Sequence, residues 1–145
     1  MKIVIVSGSF YPQKTPRSYR TTELASELVR QGHRVSVYIP QNKYDYSDFK
    51  SKYDLKIKFI DISRGQKFEL RGNKLSCIVK RIANRFLSTF LAYPDIQFVW
   101  KLPKLFSNII DCDLLISIAV PHPIHWGVEK SLKKNPKFTQ IWVAD

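Results

Sequence analysis

Ile3-Val4-Ile5-Val6 runs straight into Ser7-Gly8-Ser9-Phe10-Tyr11-Pro12-Gln13-Lys14-Thr15-Pro16-Arg17-Ser18-Tyr19-Arg20, and the reading of this junction decides the fold. Its first residues are continuously apolar rather than alternating, the pattern of a central strand covered on both faces, so residues 2–7 read as a buried strand. Thr15 suits a helix N-cap, and Pro16 suits the first helical position, where a missing N–H costs nothing. Leu24, Ala25, Leu28 and Val29 then recur at helical spacing, and Gly32 stands where a helix stops. Arg34-Val35-Ser36-Val37-Tyr38-Ile39 is a second strand, ended by Pro40. Strand, helix and strand in this order form a βαβ unit, whose two strands lie parallel in one sheet.

The same alternation continues outward. Residues 40–54 are polar without periodicity and read as a loop. Leu55-Lys56-Ile57-Lys58-Phe59-Ile60-Asp61-Ile62 alternates as a strand near the sheet edge, with lysines on its solvent face. After a loop around Gly65 and Gly72, a helical stretch covers roughly 73–92; Tyr93-Pro94-Asp95 breaks it and a further helix covers 96–110. Asp113-Leu114-Leu115-Ile116-Ser117-Ile118 is a fourth strand, with Pro121-His122-Pro123 as its exit loop. A helix from about His125 to Lys134 and a last strand, Gln140–Ala144, complete the order. The fold class is therefore α/β: a Rossmann-like, mostly parallel sheet with helices on both faces. The closing strand has no helix after it to cover it, which reads as the first part of a longer protein.

Charge and composition bound the function. The 24 Lys/Arg against 12 Asp/Glu leave a net charge of +12 over 145 residues, an excess that favours an anionic partner such as a nucleotide, a phospholipid surface or an anionic glycan. Cys77 and Cys112 lie far apart in apolar surroundings without CxxC spacing, the usage of reduced, buried thiols in a cytoplasmic protein. The leading apolar run is too short for a signal peptide, and no run approaches the ~20 apolar residues of a spanning helix.

Candidate site residues follow from topology. In open parallel sheets ligands bind beyond the carboxyl ends of the strands, so the first loop and the helix it opens form the first candidate. That loop has neither Gly-x-Gly-x-x-Gly nor Gly-Lys-Ser/Thr, so a dinucleotide fingerprint and a P-loop are both absent. Gly8 permits close backbone approach. Arg17, Ser18 and Arg20, beside a helix N-terminus, would clamp phosphate or carboxylate. His122 and His125 follow the fourth strand at the same sheet edge, where a histidine would act on a sugar hydroxyl or bond a phosphate; a helix-capping role stays equally open for each. His33, at the opposite edge, reads as structural, and Trp100, Trp126 and Trp142 read as core. The sequence shows no cluster of metal ligands, no paired catalytic carboxylates and no nucleophile elbow.

The helix at 73–92 has two readings. Leu75, Ile78, Val79, Ile82, Phe86 and Phe90 form one stripe, with Lys74, Lys80, Arg81 and Arg85 on the remaining surface. In one reading the stripe covers the sheet. In the other, the nine Lys/Arg between Arg64 and Lys104, opposed only by Glu69 and Asp95, draw the domain to anionic lipid.

Several of these segments resemble a known family. Met1–Val6 with Phe10-Tyr11-Pro12, followed by Glu23-Leu24-Ala25-x-Glu27-Leu28 and Gly32-His33-x-Val35-x-Val37, is similar to the opening of the family 4 retaining glycosyltransferases of the GT-B fold. Pro94-Asp95 with Trp100, the Asp113–Ser117 strand through Pro121 and His125, and Trp142-Val143-Ala144-Asp145 resemble further segments of one bacterial branch. Where the family often carries Gly-Gly in the first loop, this sequence has Lys14-Thr15-Pro16. The resemblance implies that residues 1–145 are the N-terminal, acceptor-side Rossmann-like domain, ending before a linker and a C-terminal domain that holds the nucleotide sugar. It implies transfer of a hexosyl unit to a glycan or lipid-linked acceptor in bacterial surface polysaccharide synthesis, with no metal or other cofactor required. The site would then comprise His122 and His125 as catalytic residues, with Gly8, Arg17, Ser18, Arg20 and Asp145 binding substrate. The isolated chain would be inactive, cytoplasmic, and peripheral at the inner face of the membrane. The alternatives are half of a sugar-nucleotide epimerase, or a basic module for membrane or nucleic acid; no helix-turn-helix, RNP or zinc pattern supports a specific nucleic acid.

Overall fold

The computed structural model describes residues 1–62, 74–90, 95–107, 112–118, 122–135, 137 and 139–145. Strands β1 (Lys2–Val6), β2 (Arg34–Pro40), β3 (Lys56–Ile60), β4 (Cys112–Ser117) and β5 (Thr139–Ala144) form one sheet in the order β3-β2-β1-β4-β5. Every neighbouring pair is parallel. The helices are α1 (Pro16–Arg30), α2 (Ser47–Tyr53), α3 (Lys74–Phe90), α4 (Phe98–Phe106), entered through a 3-10 turn at Asp95–Gln97, and α5 (Pro123–Lys134). The α/β, Rossmann-like reading of the sequence holds.

Side-chain alternation along the central strands sorts the core into two layers. Ile3, Ile5, Val35, Val37 and Ile39 pack with Ala25 of α1 and Phe49 of α2 on one face. Val4, Val6, Tyr38 and Leu115 pack with Phe98, Leu102 and Phe106 of α4 and with Ile124 and Val128 of α5 on the other. Both faces of β1 are thus filled, which is why its sequence is apolar without alternation. Residue 127 of α5 meets α4 so closely that a Cβ there would stand 2.5 Å from the Phe98 carbonyl oxygen and 2.8 Å from Leu102 Cδ1, so only glycine fits. Helix α1 ends as its sequence implies: Gly32, at φ +83°, donates to Val29 O and His33 N–H to Leu28 O.

Four expectations need correction. The stretch 40–54 contains helix α2, whose Phe49 and Tyr53, one turn apart, are the only apolar anchors in a seven-residue helix, too few to show as a period. Strand β3 keeps its lysines exposed, yet Phe59 is also exposed, lying beside the Tyr46 ring (centroids 6.0 Å apart). Trp100 and Trp126 are 56% and 50% exposed rather than in the core; Trp142 alone of the three tryptophans is half-buried against it. The stripe of α3 does not cover the sheet: Ile78, Val79, Ile82 and Phe86 face solvent. Cys112 is buried and Cys77 half-buried, both as free thiols. Gly65, Gly72, Pro94, Pro121 and residues 108–110 lie outside the described residues, as do the side chains of Leu75 and Phe90.

Candidate functional site at the carboxyl edge of the sheet

The chain winds outward from β1 through β2 and β3, then returns to the other side of β1 as β4 and β5. The carboxyl edge beside β1 and β4 is therefore the topological switch point, where open parallel sheets bind ligands.

The loop leaving β1 is tied down by its own polar groups. Ser7 N–H donates to Tyr38 O (3.0 Å). Ser7 Oγ lies 2.9 Å from both Thr21 Oγ1 and Ser9 O, and Thr21 Oγ1 lies 2.9 Å from Arg17 O. Both hydroxyls are buried, so this chain locks the loop onto α1. Phe10 packs edge-on against Phe49 (5.3 Å) and Tyr11 stacks on the same ring (5.1 Å), so the helix missed in the sequence seats the loop from the far side. Gly8 is half-buried within this turn, and the buried Ser9 Oγ has no hydrogen-bond partner among the described residues.

The start of α1 is less open than the sequence suggests. Pro16 has no N–H, Ser18 N–H is held by Thr15 Oγ1 (3.1 Å), and Tyr19 N–H bonds Thr15 O (3.0 Å). The Ser18 side chain is buried. Positive charge at this edge therefore comes from the exposed Arg17 and Arg20 more than from bare helix-end amides.

Beside this loop, backbone bonds align the ends of three strands: Ile118 N–H donates to Val6 O and Asp145 N–H to Ser117 O, each at 2.9 Å. This sets Asp145 beside Ser117, and the Asp145 carboxylate pairs with the Arg20 guanidinium, joining α1 to the end of β5. Asp145 and Arg20 are thus brought together although 125 positions apart in sequence.

Beneath that pair lies a second group. Trp142 Nε1–H donates to Ser117 Oγ (2.8 Å), and Ser117 Oγ lies 2.7 Å from His125 Nδ1. An indole only donates, so the Ser117 hydroxyl accepts from Trp142, while the direction of its bond to Nδ1 depends on the His125 tautomer. Burial lowers the His125 pKa below its ordinary value and His122 lowers it further, opposed by a hydrogen bond to the Asp145 backbone and by the Asp145 charge. His122 itself is exposed at the start of α5, its carbonyl accepting from His125 N–H (2.9 Å).

Of the residues singled out in the sequence, Arg20, His125 and Asp145 therefore converge. Ser18 is buried, while Arg17 and His122 lie exposed on the adjoining first turns of α1 and α5. Ser117 and Trp142 were not foreseen as site residues; Ser117 ends a strand at the carboxyl edge, the one position from which its role was open to inference. No group of metal ligands occurs among the described residues. Among them too, no helix is long and apolar enough to cross a membrane.

The fold belongs to the class of doubly wound, parallel α/β domains, and the site lies at its switch-point edge. The sequence matches no protein-family model and no curated protein. Among solved structures, the C-terminal domain (residues 78–226) of the PF1911 hydrogenase from Pyrococcus furiosus is similar at 11% identity, with a TM-score of 0.52 over 99% of this chain and 90% of that one. A second structure of that domain, residues 83–215, is similar at 10% identity with a TM-score of 0.51, over the same shares. At such identity the likeness is one of fold.

Proposed function

We propose that this chain is the acceptor-binding half of a glycosyltransferase, whose whole would move a hexosyl unit from a nucleotide sugar to a glycan or lipid-linked acceptor. The observation that carries the reading is the convergence of Arg20, Asp145 and His125 at the switch-point edge. It offers a cation, a carboxylate and an imidazole of lowered pKa at one edge of the sheet. The resemblance of the first βαβ unit and of the Trp142–Asp145 segment to the family 4 glycosyltransferases supplies the reaction class.

The chemistry follows from the relay. Nδ1 faces the Ser117 hydroxyl and the ring also bonds the Asp145 backbone, so a sugar or phosphate oxygen meets His125 by replacing the Asp145 contact. The Arg20–Asp145 pair is solvent-exposed on the arginine side, and such pairs are worth about 0–1 kcal/mol. An incoming acceptor therefore displaces it at little cost, gaining Arg20 for an anionic group and Asp145 for hydroxyls.

Amide and imidazole NMR spectra of this chain, titrated with a panel of glycans, a polyprenyl-phosphate glycan and nucleotide sugars, test the reading. The expected result is saturable shifts at Ser9, Arg20, His125 and Asp145 with an acceptor, weakened about tenfold by Arg20→Ala, the cost of one charge-assisted contact. Turnover by the isolated chain is not expected. Silence at this edge across the panel would defeat the proposal.

A further inference from the structure

The amino-terminal edge of the sheet, opposite Arg20 and Asp145, carries a cavity of about 630 Å³, within the ~300–1,000 Å³ of small-ligand sites. Its position follows from strand register. Val4 pairs with Ser36, Ser36 with Lys56, and Tyr38 with Lys58. Side chains alternate along a strand, so Arg34, Ser36, Lys56 and Lys58 share the face that holds Val4 and Tyr38. Helix α4 reaches this face at Phe106, which meets the Tyr38 ring edge-on at 5.5 Å. Toward the amino edge the face opens into the cavity, lined by all six of these strand residues.

Charge selects the ligand. Lysines on an edge strand ordinarily guard it against pairing with another sheet, which would account for Lys56 and Lys58. It does not account for Arg34, because β2 lies inside the sheet between β1 and β3. All three cations are exposed, and among the described residues none of them forms an ion pair. Lys2 also lines the cavity, and Asp54 is the one carboxylate that does. Lys58 Nζ lies 5.4 Å from the centroid of the Tyr38 ring, a cation–π contact that holds it against the apolar wall. Like charges gathered on one face of a sheet repel, a cost that a bound anion would offset. The anion is compact. A nucleic-acid groove offers exposed rings on which bases stack, whereas Tyr38, the only tyrosine, phenylalanine or tryptophan lining this cavity, is buried.

We infer that this cavity binds a linked di- or triphosphate, received by Arg34, Lys56 and Lys58 with the Ser36 hydroxyl as a further donor. A guanidinium takes two phosphate oxygens at once, and the two lysines meet the neighbouring phosphate as point charges. Inorganic tripolyphosphate and nucleoside triphosphates share this chemistry. The site is independent of the sugar-binding reading, and its test needs neither acceptor nor nucleotide sugar.

The experiment is calorimetric titration of this chain with inorganic tripolyphosphate and with ATP, paired with amide NMR. Saturable binding of tripolyphosphate is expected, weakening as salt rises, with amide shifts at Arg34, Ser36, Lys56 and Lys58. Tighter binding of ATP than of tripolyphosphate assigns the nucleotide as ligand, its base meeting Val4 and Tyr38; equal or weaker binding assigns the bare phosphate chain. R34Q with K56Q should weaken binding about a hundredfold, about tenfold for each charge-assisted contact. The circular dichroism should stay unchanged, because both side chains are exposed. K130Q with K134Q removes the same charge from α5 and should change the affinity little. Four results overturn the proposal: no saturable binding, binding that R34Q with K56Q leaves intact, shifts confined to Arg17, Arg20 and Asp145, or a random oligonucleotide held more tightly than tripolyphosphate, which would make the face a nucleic-acid surface.

Discussion

Helices α5 and α3 make an instructive pair. Both are amphipathic, both carry lysines or arginines on their polar side, and a helical wheel ranks α3 as the more sharply divided of the two. Yet α5 presses Ile124, Gly127 and Val128 into α4 and the sheet, whereas α3 turns Ile78, Val79, Ile82 and Phe86 outward. Periodicity establishes that a helix has an apolar face; it says nothing of what covers that face. In α5 the answer is written into one residue, because a glycine at 127 lets two helices approach to backbone contact. Nothing in α3 provides a comparable close approach.

Truncation separates the two helices most sharply. Leu102→Ala removes a fully buried side chain at the α4–α5 contact and should cost about 2–5 kcal/mol. Gly127→Ala should cost about 1–3 kcal/mol by forcing α5 off the Phe98 carbonyl. Ile82→Ala, on the exposed face of α3, should stay within about 0.5 kcal/mol. Urea unfolding monitored by circular dichroism measures all three. A loss at Ile82 matching that at Leu102 would mean that α3 is packed, and would remove the contrast.

The cap of α1 comes next in size. Thr15 Oγ1 holds Ser18 N–H, and Thr15→Ala should cost about 1 kcal/mol while Thr15→Ser is nearly neutral. The same substitution frees an amide at the helix end, so phosphate should protect Thr15→Ala against unfolding more than it protects the parent chain. Equal protection of both would show that the arginines alone carry the anion affinity of this edge.

These contrasts also mark what was legible in the sequence. The βαβ unit was, because Ile3–Val6, Thr15-Pro16 and Gly32 are local signals with local causes, and so were the pairing of the first two strands and the edge position of β3. Helix α2 was not, since two aromatic anchors in seven residues leave no measurable period. Trp100 and Trp126 misled because large apolar side chains are interior on average, and the average says nothing about a helix side that no other element covers. At the carboxyl edge, Arg20 and His125 were reachable from topology, near the starts of the helices that follow β1 and β4, whereas Asp145 came from the family resemblance. The Ser117–Trp142 relay was not. It depends on β4 and β5 being neighbours in one register, Ser117 opposite Ala144 and Leu115 opposite Trp142, so that an indole on one strand reaches a hydroxyl on the next.

That relay supports the smallest effect, and one that separates a site histidine from a packed one. His125 has its pKa lowered from 6.5, so between pH 6.5 and its folded value the folded chain binds fewer protons than the unfolded chain. Stability contributed by the neutral ring is present above pH 6.5 and is lost as pH falls through the folded pKa. His122 and Asp145 are the charged groups that act on it, and Arg20 pairs with Asp145. A Ser117 hydroxyl that donates to Nδ1 favours the neutral ring, so in Ser117→Ala the His125 midpoint in an imidazole NMR titration should move upward and the ring nitrogens should lose their single-tautomer shifts; a hydroxyl that accepts from Nδ1–H gives a downward move instead. Trp142→Phe keeps the hydroxyl and loses only its orientation, so the midpoint should move less in the same direction. Filling the space without polarising the ring would leave both midpoint and tautomer unmoved in Ser117→Ala; polarisation by the relay moves both.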